Sequence, residues 1–184
     1  MGAAPDNAFL AALRAEGPAP DRVEAMALYG RFIGSWDLDV IHILEDGSVR
    51  RRPGVWHFGW VLEGRAIQDV WILPARPGHA EPHCYGTTLR SWDPRIGAWH
   101  IHYADPALGV HLSQLARAEG PDIVQLGTDP DGTRRRWRFT DIAPDGFRWR
   151  GEVAREGTPE GGWHCHTDFR AVRRQVPGAS GAPR

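Results

Sequence analysis

The chain from Trp36 to Arg173 consists of short strand-like segments separated by turn residues. This pattern constrains the fold more than any other feature of the sequence. The segments alternate apolar and polar side chains, and no helical periodicity lies between them. Asp46-Gly47 and the two turns at 129–132 and 144–146 carry the Asp, Pro and Gly residues of tight turns. About ten antiparallel strands at this regular spacing predict an all-β fold, a single up-and-down barrel. The segments are Trp36–Leu44, Val55–Leu62, Arg65–Leu73, Tyr85–Trp92, Ala98–Ala104, Val110–Arg117, Ile123–Thr128, Thr133–Ile142, Phe147–Val153 and Trp163–Arg173.

Two short helices are predicted before the first strand. Asp6–Ala15 has Asp6 as a capping residue ahead of apolar residues at helical spacing, and Asp21–Phe32 repeats the pattern with Asp21 as its cap. The chain is thus expected to consist of an N-terminal helical segment (1–31), a barrel (32–174) and a tail (175–184). The tail is rich in Pro, Gly, Ala and Ser, which predicts disorder.

The first strand opens with a motif that resembles a known family. Gly34-Ser35-Trp36 resembles the Gly-x-Trp opening of lipocalin-like (calycin) barrels, and Trp60–Arg65 together with Tyr85–Thr88 is similar to uncharacterised bacterial lipocalin-like proteins. The resemblance covers roughly Phe32 to Arg173. It implies a lipocalin-like barrel, and such barrels commonly enclose a small apolar ligand.

Composition excludes several classes of function. The 22 basic and 23 acidic residues give a net charge of −1, so no strong field attracts nucleic acid or an anionic membrane. All 22 basic residues are arginine, which excludes Schiff-base chemistry and a phosphate-loop lysine. No long apolar run or signal-peptide profile is present, and Cys84 and Cys165 suit a reducing compartment, so the chain is expected to be cytoplasmic.

The aromatic and arginine residues of the late strands indicate which face is inside. In Thr133–Ile142, Trp137 and Phe139 alternate with arginines, and an unpaired guanidinium group is costly to bury. We therefore expect the aromatic face to point inward and the arginine face outward. This rule lines the barrel with Trp36, Trp56, Phe58, Trp60, Trp99, Tyr103, Trp137, Phe139, Phe147, Trp149, Trp163 and Phe169.

The nine tryptophans allow two interpretations: they either fill the core or surround a cavity for a hydrophobic or aromatic molecule. The second makes the protein a ligand-binding barrel. Thr87 is a further polar anchor. The candidate ligand-binding residues are Trp36, His42, Trp56, Trp60, Tyr85, Trp99, Tyr103, Trp137 and Trp149.

Two Trp-His-x-His motifs allow a metal site instead. Histidines two residues apart on a strand point the same way, about 6.5–7 Å apart, a spacing that suits one zinc, iron, copper or manganese ion. A metal-dependent lyase, isomerase or oxygenase would then be possible. The same inward rule places both pairs on the outer face, on strands that are not neighbours, so they are alternatively surface residues or meet in a homodimer. Heme is not expected, because the glycine-repeated opening of heme-binding relatives is missing. The candidate metal ligands are His83, His100, His102, His164 and His166, with Glu81.

Acid–base catalysis has weaker candidates. Asp69 shares a strand face with Trp71, and a buried carboxyl there would act as a general base. The alternative is a salt bridge from Asp69 to Arg65 or Arg90. Asp69 with His42 would suit a cofactor-free cyclase or isomerase. A third class of function is an interaction protein, in which the arginine face of Thr133–Arg150 contacts an acidic partner.

Overall fold

The protein is a closed barrel of ten antiparallel strands with two short helices before it. The computed structural model describes residues 7–75, 83–154, 157, 159 and 161–175. Each strand pairs with the next, and the last pairs with the first, which confirms the predicted up-and-down barrel. Among the described residues no helix is long and apolar enough to cross a membrane. The elements are α1 (Ala8–Leu13), α2 (Val23–Gly30), β1 (Gly34–Ile43), β2 (Val49–Val61), β3 (Ala66–Leu73), β4 (Cys84–Asp93), β5 (Ala98–Asp105), β6 (Val110–Glu119), β7 (Asp122–Thr128), β8 (Arg134–Thr140), β9 (Gly146–Ala154) and β10 (His164–Arg173).

Both helices are shorter than predicted, and their caps differ. The side chain of Asn7 caps α1, accepting a hydrogen bond from the Leu10 amide at 3.3 Å. The predicted cap Asp6 lies outside the described residues. Asp21 does not cap α2, because its carboxylate pairs with Arg65 at 3.0 Å. The predicted tail also lies outside the described residues from position 176 onward.

Strand β2 begins at Val49, earlier than the predicted start at Val55. The sequence Arg50–Gly54 suggests a turn, yet Pro53 pairs with Asp39 of β1 and the strand continues through it. Gly54 is required there, since a Cβ atom would lie 2.3 Å from the Leu73 side chain. The close approach of β3 thus explains why a glycine occupies position 54 within a strand, although the local sequence suggests a loop.

Helix α2 and the residues after it close one end of the barrel with aromatic side chains. The Tyr29 ring contacts Trp99 edge-on at 4.9 Å, and the Phe32 ring lies 4.8 Å from both Phe139 and Phe147. Tyr29 is fully buried, and its hydroxyl accepts a hydrogen bond from Gln125 at 2.8 Å. This end, which we call the closed end, is filled by the core.

The inward rule for aromatic residues and its outward counterpart for arginines hold for most strands but have exceptions. Trp163 lies on the outer face, where the Arg136 guanidinium is 4.5 Å from its ring centroid. Arg90 is fully buried at the closed end, where Asp69 pairs with it and the rings of Tyr29 and Phe58 flank it. Arg52 is also buried. Burial of Arg90 is tolerated because a carboxylate and aromatic faces replace its lost hydration.

Candidate ligand-binding cavity

A cavity of about 240 Å³ lies inside the barrel, on the side away from α2. Along β8, Phe139 packs against Tyr29 at the closed end, while Trp137 and Arg135, further along the same inward row, border the cavity. The volume is slightly below the roughly 300–1,000 Å³ of typical ligand pockets. The lining residues are Trp56, Trp71, Thr88, Tyr103, Val110, Leu112, Arg135, Trp137, Trp149, His166, Thr167 and Phe169.

Stacked aromatic rings form one wall of the cavity. The Phe169 ring lies between Trp149, at 4.6 Å and 28°, and Trp71, at 5.4 Å and 26°. Trp137 meets Trp149 at 5.4 Å in an edge-on contact. These near-parallel rings form an apolar, aromatic wall of the cavity.

Three indole N–H groups on this lining have no partner. The Nε1 atoms of Trp56, Trp71 and Trp149 are buried, and none has a hydrogen-bond acceptor among the described residues. A buried donor without an acceptor costs about 1–3 kcal/mol. Side chains around the cavity therefore hold buried donors without an acceptor among the described residues.

His166 borders the cavity because β10 is irregular. The pairing of β10 with β9 shifts between Cys165 and Thr167, and this bulge turns His166 off the outer face that strict alternation predicts. Gly151 makes room for the imidazole: a Cβ atom there would lie 3.1 Å from Nε2 of His166. The prediction that His166 lies outside is wrong.

The His166 imidazole is neutral at physiological pH. Burial, and to a smaller extent the positive charge of Arg135, lower its pKa to about 4. Its Nδ1 atom is 2.8 Å from the Thr167 hydroxyl, and Nε2 is buried without a hydrogen-bond partner among the described residues. A neutral imidazole with one unused ring nitrogen is able to donate or accept a hydrogen bond, depending on its tautomer.

Tyr103 supplies a hydroxyl to the lining. Its ring lies over Gly86, where a Cβ atom would be 2.6 Å from the hydroxyl oxygen, so only glycine fits. Burial and the nearby Asp105 carboxylate raise the pKa of Tyr103, so the hydroxyl stays protonated. The group therefore offers a hydrogen bond but no charge.

The other predicted ligand-binding residues lie in three different places. Trp36 and Trp99 are fully buried at the closed end, and Trp60 packs under α2, against Gly30. His42 lies beside the cavity, with its Nδ1 atom 3.4 Å from the Thr167 hydroxyl. Tyr85 is exposed on the outer face. The predicted set Trp56, Tyr103, Trp137 and Trp149 does border the cavity.

Sequence reasoning did not assign several cavity residues to the ligand site. Arg135 shares the inward row with Trp137, and Thr88 lies opposite Asp69, so strand alternation already indicated their direction. Thr87, the predicted anchor, instead donates a 2.6 Å hydrogen bond to the backbone carbonyl of Asp69. Arg135 and Thr88 were overlooked because the inward rule considered only aromatic side chains.

Asp69 points inward as expected but does not reach the cavity. Its carboxylate pairs with Arg90 and accepts a hydrogen bond from the Thr88 amide at 3.1 Å. The predicted salt-bridge alternative is therefore the one observed. Because both side chains are buried, the Asp69 carboxylate stays paired with Arg90.

The histidine pair on β5 stacks on the outer face. The rings of His100 and His102 are parallel with centroids 6.3 Å apart. His100 lies 3.3 Å from Asp93, and His102 lies 3.2 Å from the Ser113 hydroxyl. In the described parts of the chain, no group of three or more His, Cys, Asp or Glu residues comes together as metal ligands.

The remaining metal candidates are spread around the barrel. His83 packs beside Tyr85, with ring centroids 5.7 Å apart, and His164 is exposed at the start of β10. Glu81 lies outside the described residues. Binding of a divalent metal, and the absence of heme, stay predictions.

Two solved structures have a similar fold. The crystal structure of Rv2717c from M. tuberculosis matches with a TM-score of 0.59 and 16% identity, over 86% of this chain and 99% of that one. The S-type phycobiliprotein lyase CPES from Guillardia theta matches with a TM-score of 0.58 and 10% identity, over 83% of this chain and 93% of that one. No family model and no curated protein sequence matches.

The closed ten-strand topology and these two likenesses define the class of fold. The chain has the fold of a lipocalin-like up-and-down barrel, as the Gly34-Ser35-Trp36 opening predicted. At these identities the likeness shows the fold alone, so the function has to be argued from the cavity.

Proposed function

We propose that this barrel binds a small planar aromatic molecule in the cavity between Trp149, Phe169 and Leu112. The observation that carries the proposal is the stacked wall of Trp149, Phe169 and Trp71, two of whose indole nitrogens have no hydrogen-bond partner among the described residues. An aromatic ligand gains apolar and edge-on ring contacts on such a wall. Oxygen atoms at the edge of the ligand would accept the unused hydrogen bonds.

The size and chemistry of the cavity favour a ligand over a merely loose core. Protein interiors pack closely and contain few voids larger than a water molecule, so a volume of about 240 Å³ is unusual for a core. The closed end of the same barrel shows the contrast, since Trp36 and Trp99 there are fully buried. Apolar lining with a few polar groups is typical of ligand sites.

Calorimetric titration with two-ring aromatics of different charge tests the proposal. We would use 2-naphthylmethanol, 2-naphthoate and 2-naphthylmethylammonium against the wild-type protein and the variant Leu112→Trp. Leu112 points into the cavity, so an indole there occupies the space of the ligand. We expect saturable binding of at least one probe by the wild type, and roughly tenfold or greater loss in the variant, about 1.4 kcal/mol.

The matched control is Leu115→Trp on the same strand. Leu115 lies on the outer face of β6 and is 39% exposed, so this change adds an indole without touching the cavity. It should leave binding unchanged. If no probe binds the wild type, or if both variants lose binding equally, the proposed function is wrong.

One observation favours a second candidate, an enzyme acting in the same cavity. His166 lines the cavity, and its Nε2 atom has no hydrogen-bond partner among the described residues, so this nitrogen is the acceptor that a proton from a bound molecule would need, although its lowered pKa makes it a weak base. One barrel of similar fold is a phycobiliprotein lyase. Turnover of a bound compound that His166→Gln abolishes, while binding persists, would favour catalysis over simple binding.

A further inference from the structure

We propose that the ligand is an aromatic anion, a planar ring system bearing a carboxylate or similar oxyanion whose charged group is bound by Arg135. This inference rests on the proposed function and adds the charge of the ligand. It is carried by the position of Arg135 on the cavity lining and by the placement of the acidic side chains around it.

Arg135 differs from the other arginines of β8 in direction. Arg134 and Arg136 lie over Trp163 on the outer face, and Arg138 pairs with Asp122 at 2.9 Å. Arg135 lies on the inward row with Trp137 and lines the cavity. It is the cation that a ligand in the cavity would meet.

The guanidinium group of Arg135 retains donors for a ligand. Its Nε–H donates to Asp129 at 2.6 Å, and its two Nη groups have no hydrogen-bond partner among the described residues. Its side chain is 27% exposed, so it is neither sealed in the core nor fully in water. Two adjacent N–H donors match the two oxygens of a carboxylate.

No acidic side chain among the described residues lines the cavity. The nearby carboxylates are directed elsewhere: Asp69 pairs with Arg90, and Glu152 pairs with Arg136 on the outer side at 2.6 Å. Asp105 accepts a hydrogen bond from the Ala107 amide at 3.0 Å in the turn after β5, and its other oxygen lies 3.5 Å from the Tyr103 hydroxyl, behind the lining. Among the described residues the lining thus offers one guanidinium group, whose Nε is paired with Asp129, and several neutral N–H and O–H donors, a combination that favours an anion over a cation.

The three naphthyl probes share one ring system and differ in charge, so their affinities test the inference directly. For the wild type we expect 2-naphthoate to bind roughly ten- to hundredfold more tightly than 2-naphthylmethanol, the difference that a hydrogen bond to a charged group makes. 2-Naphthylmethylammonium should bind more weakly than either. In Arg135→Gln, 2-naphthoate should fall to the affinity of the alcohol, while the alcohol binds as before.

Arg134→Gln is the matched control, because it removes the same charge from the adjacent residue on the outer face. It should keep the preference for 2-naphthoate. Retained alcohol binding by Arg135→Gln shows that the variant is folded. If the alcohol or the ammonium binds the wild type as tightly as 2-naphthoate, or if Arg135→Gln keeps the preference, the anion proposal is wrong and the aromatic cavity stands. If no probe binds, the proposed function itself fails.

Discussion

At the scale of single residues, His166 links the cavity to the stability of the protein. Its pKa is about 4 in the folded chain and near the usual 6.5 in the unfolded chain. Between these pH values the unfolded chain binds a proton that the folded chain does not, so stability falls as the pH drops from 6.5 to 4. The loss is at most about 3 kcal/mol, since a tenfold change in proton affinity is worth about 1.4 kcal/mol.

Urea unfolding at a series of pH values measures this effect. We expect the free energy of unfolding of His166→Gln to change less than that of the wild type between pH 6.5 and 4, and the two profiles to run parallel above pH 7. His164→Gln is the control, because His164 is exposed at the start of the same strand, and its profile should follow the wild type. Parallel profiles for wild type and His166→Gln throughout would show that His166 titrates normally.

Strand alternation predicted the inward direction of Trp56, Trp137 and Trp149 from sequence alone, because side-chain direction follows from position along a regular strand. It failed for His166, where a bulge shifts the alternation, and for Trp163, which precedes the first paired residue of β10. Bulges depend on pairing with the neighbouring strand, so the sequence of one strand does not contain them. The inward direction of Arg90 was missed because the rule placed arginines outward, although the pairing of Asp69 with Arg65 or Arg90 was one of the two alternatives predicted for Asp69.

At the scale of elements, Arg173 joins the last strand to the entry of the first. Its Nη1 and Nη2 groups donate to the carbonyls of Ile33 and Arg31, both at 2.8 Å, and its Nε–H donates to Pro144 at 2.7 Å. The guanidinium carbon lies 4.1 Å from the Trp36 ring centroid. One side chain thus holds the segment after α2, the start of β1 and the loop before β9 together.

We expect Arg173→Lys to lower the free energy of unfolding by about 1–3 kcal/mol, because an ammonium group cannot bond three separate carbonyls and stack on an indole at once. Urea denaturation followed by circular dichroism gives the value. Arg170→Lys, on the exposed face of the same strand, should change stability by less than about 0.5 kcal/mol. Equal effects of the two substitutions would contradict the role given to Arg173.

The number and order of the strands were predictable, whereas their ends were not. Alternation and turn residues are local signals, and all ten strands were located by them. The early start of β2 at Val49 and the uncapped start of α2 depend on β1 and on Arg65, respectively, which no local signal reports. The cavity was not predictable from local sequence either, since its volume depends on how rings from several strands pack together.

At the scale of the whole molecule, the tightly packed core residues and the residues that line the cavity lie at different positions along the barrel axis. At the closed end, Trp99 is fully buried and contacts Tyr29 edge-on at 4.9 Å. Towards the cavity, Trp137 has an open volume on one side and is 8% exposed. Rings in a fully packed core lose more contacts on truncation than rings beside a cavity.

This separation predicts unequal effects of the same substitution at the two ends. Trp99→Ala should lower the free energy of unfolding by about 3–5 kcal/mol, since it leaves a void that fixed neighbours cannot fill. Trp137→Ala should cost at least about 1 kcal/mol less, because the new space joins a cavity that is already there, yet it should weaken 2-naphthoate binding. Urea denaturation and calorimetry of both variants measure the two quantities, with Trp99→Phe replacing Trp99→Ala if the latter does not fold. Equal losses of stability at Trp99 and Trp137 would mean that the core is continuous along the barrel and that the cavity closes by collapse in solution.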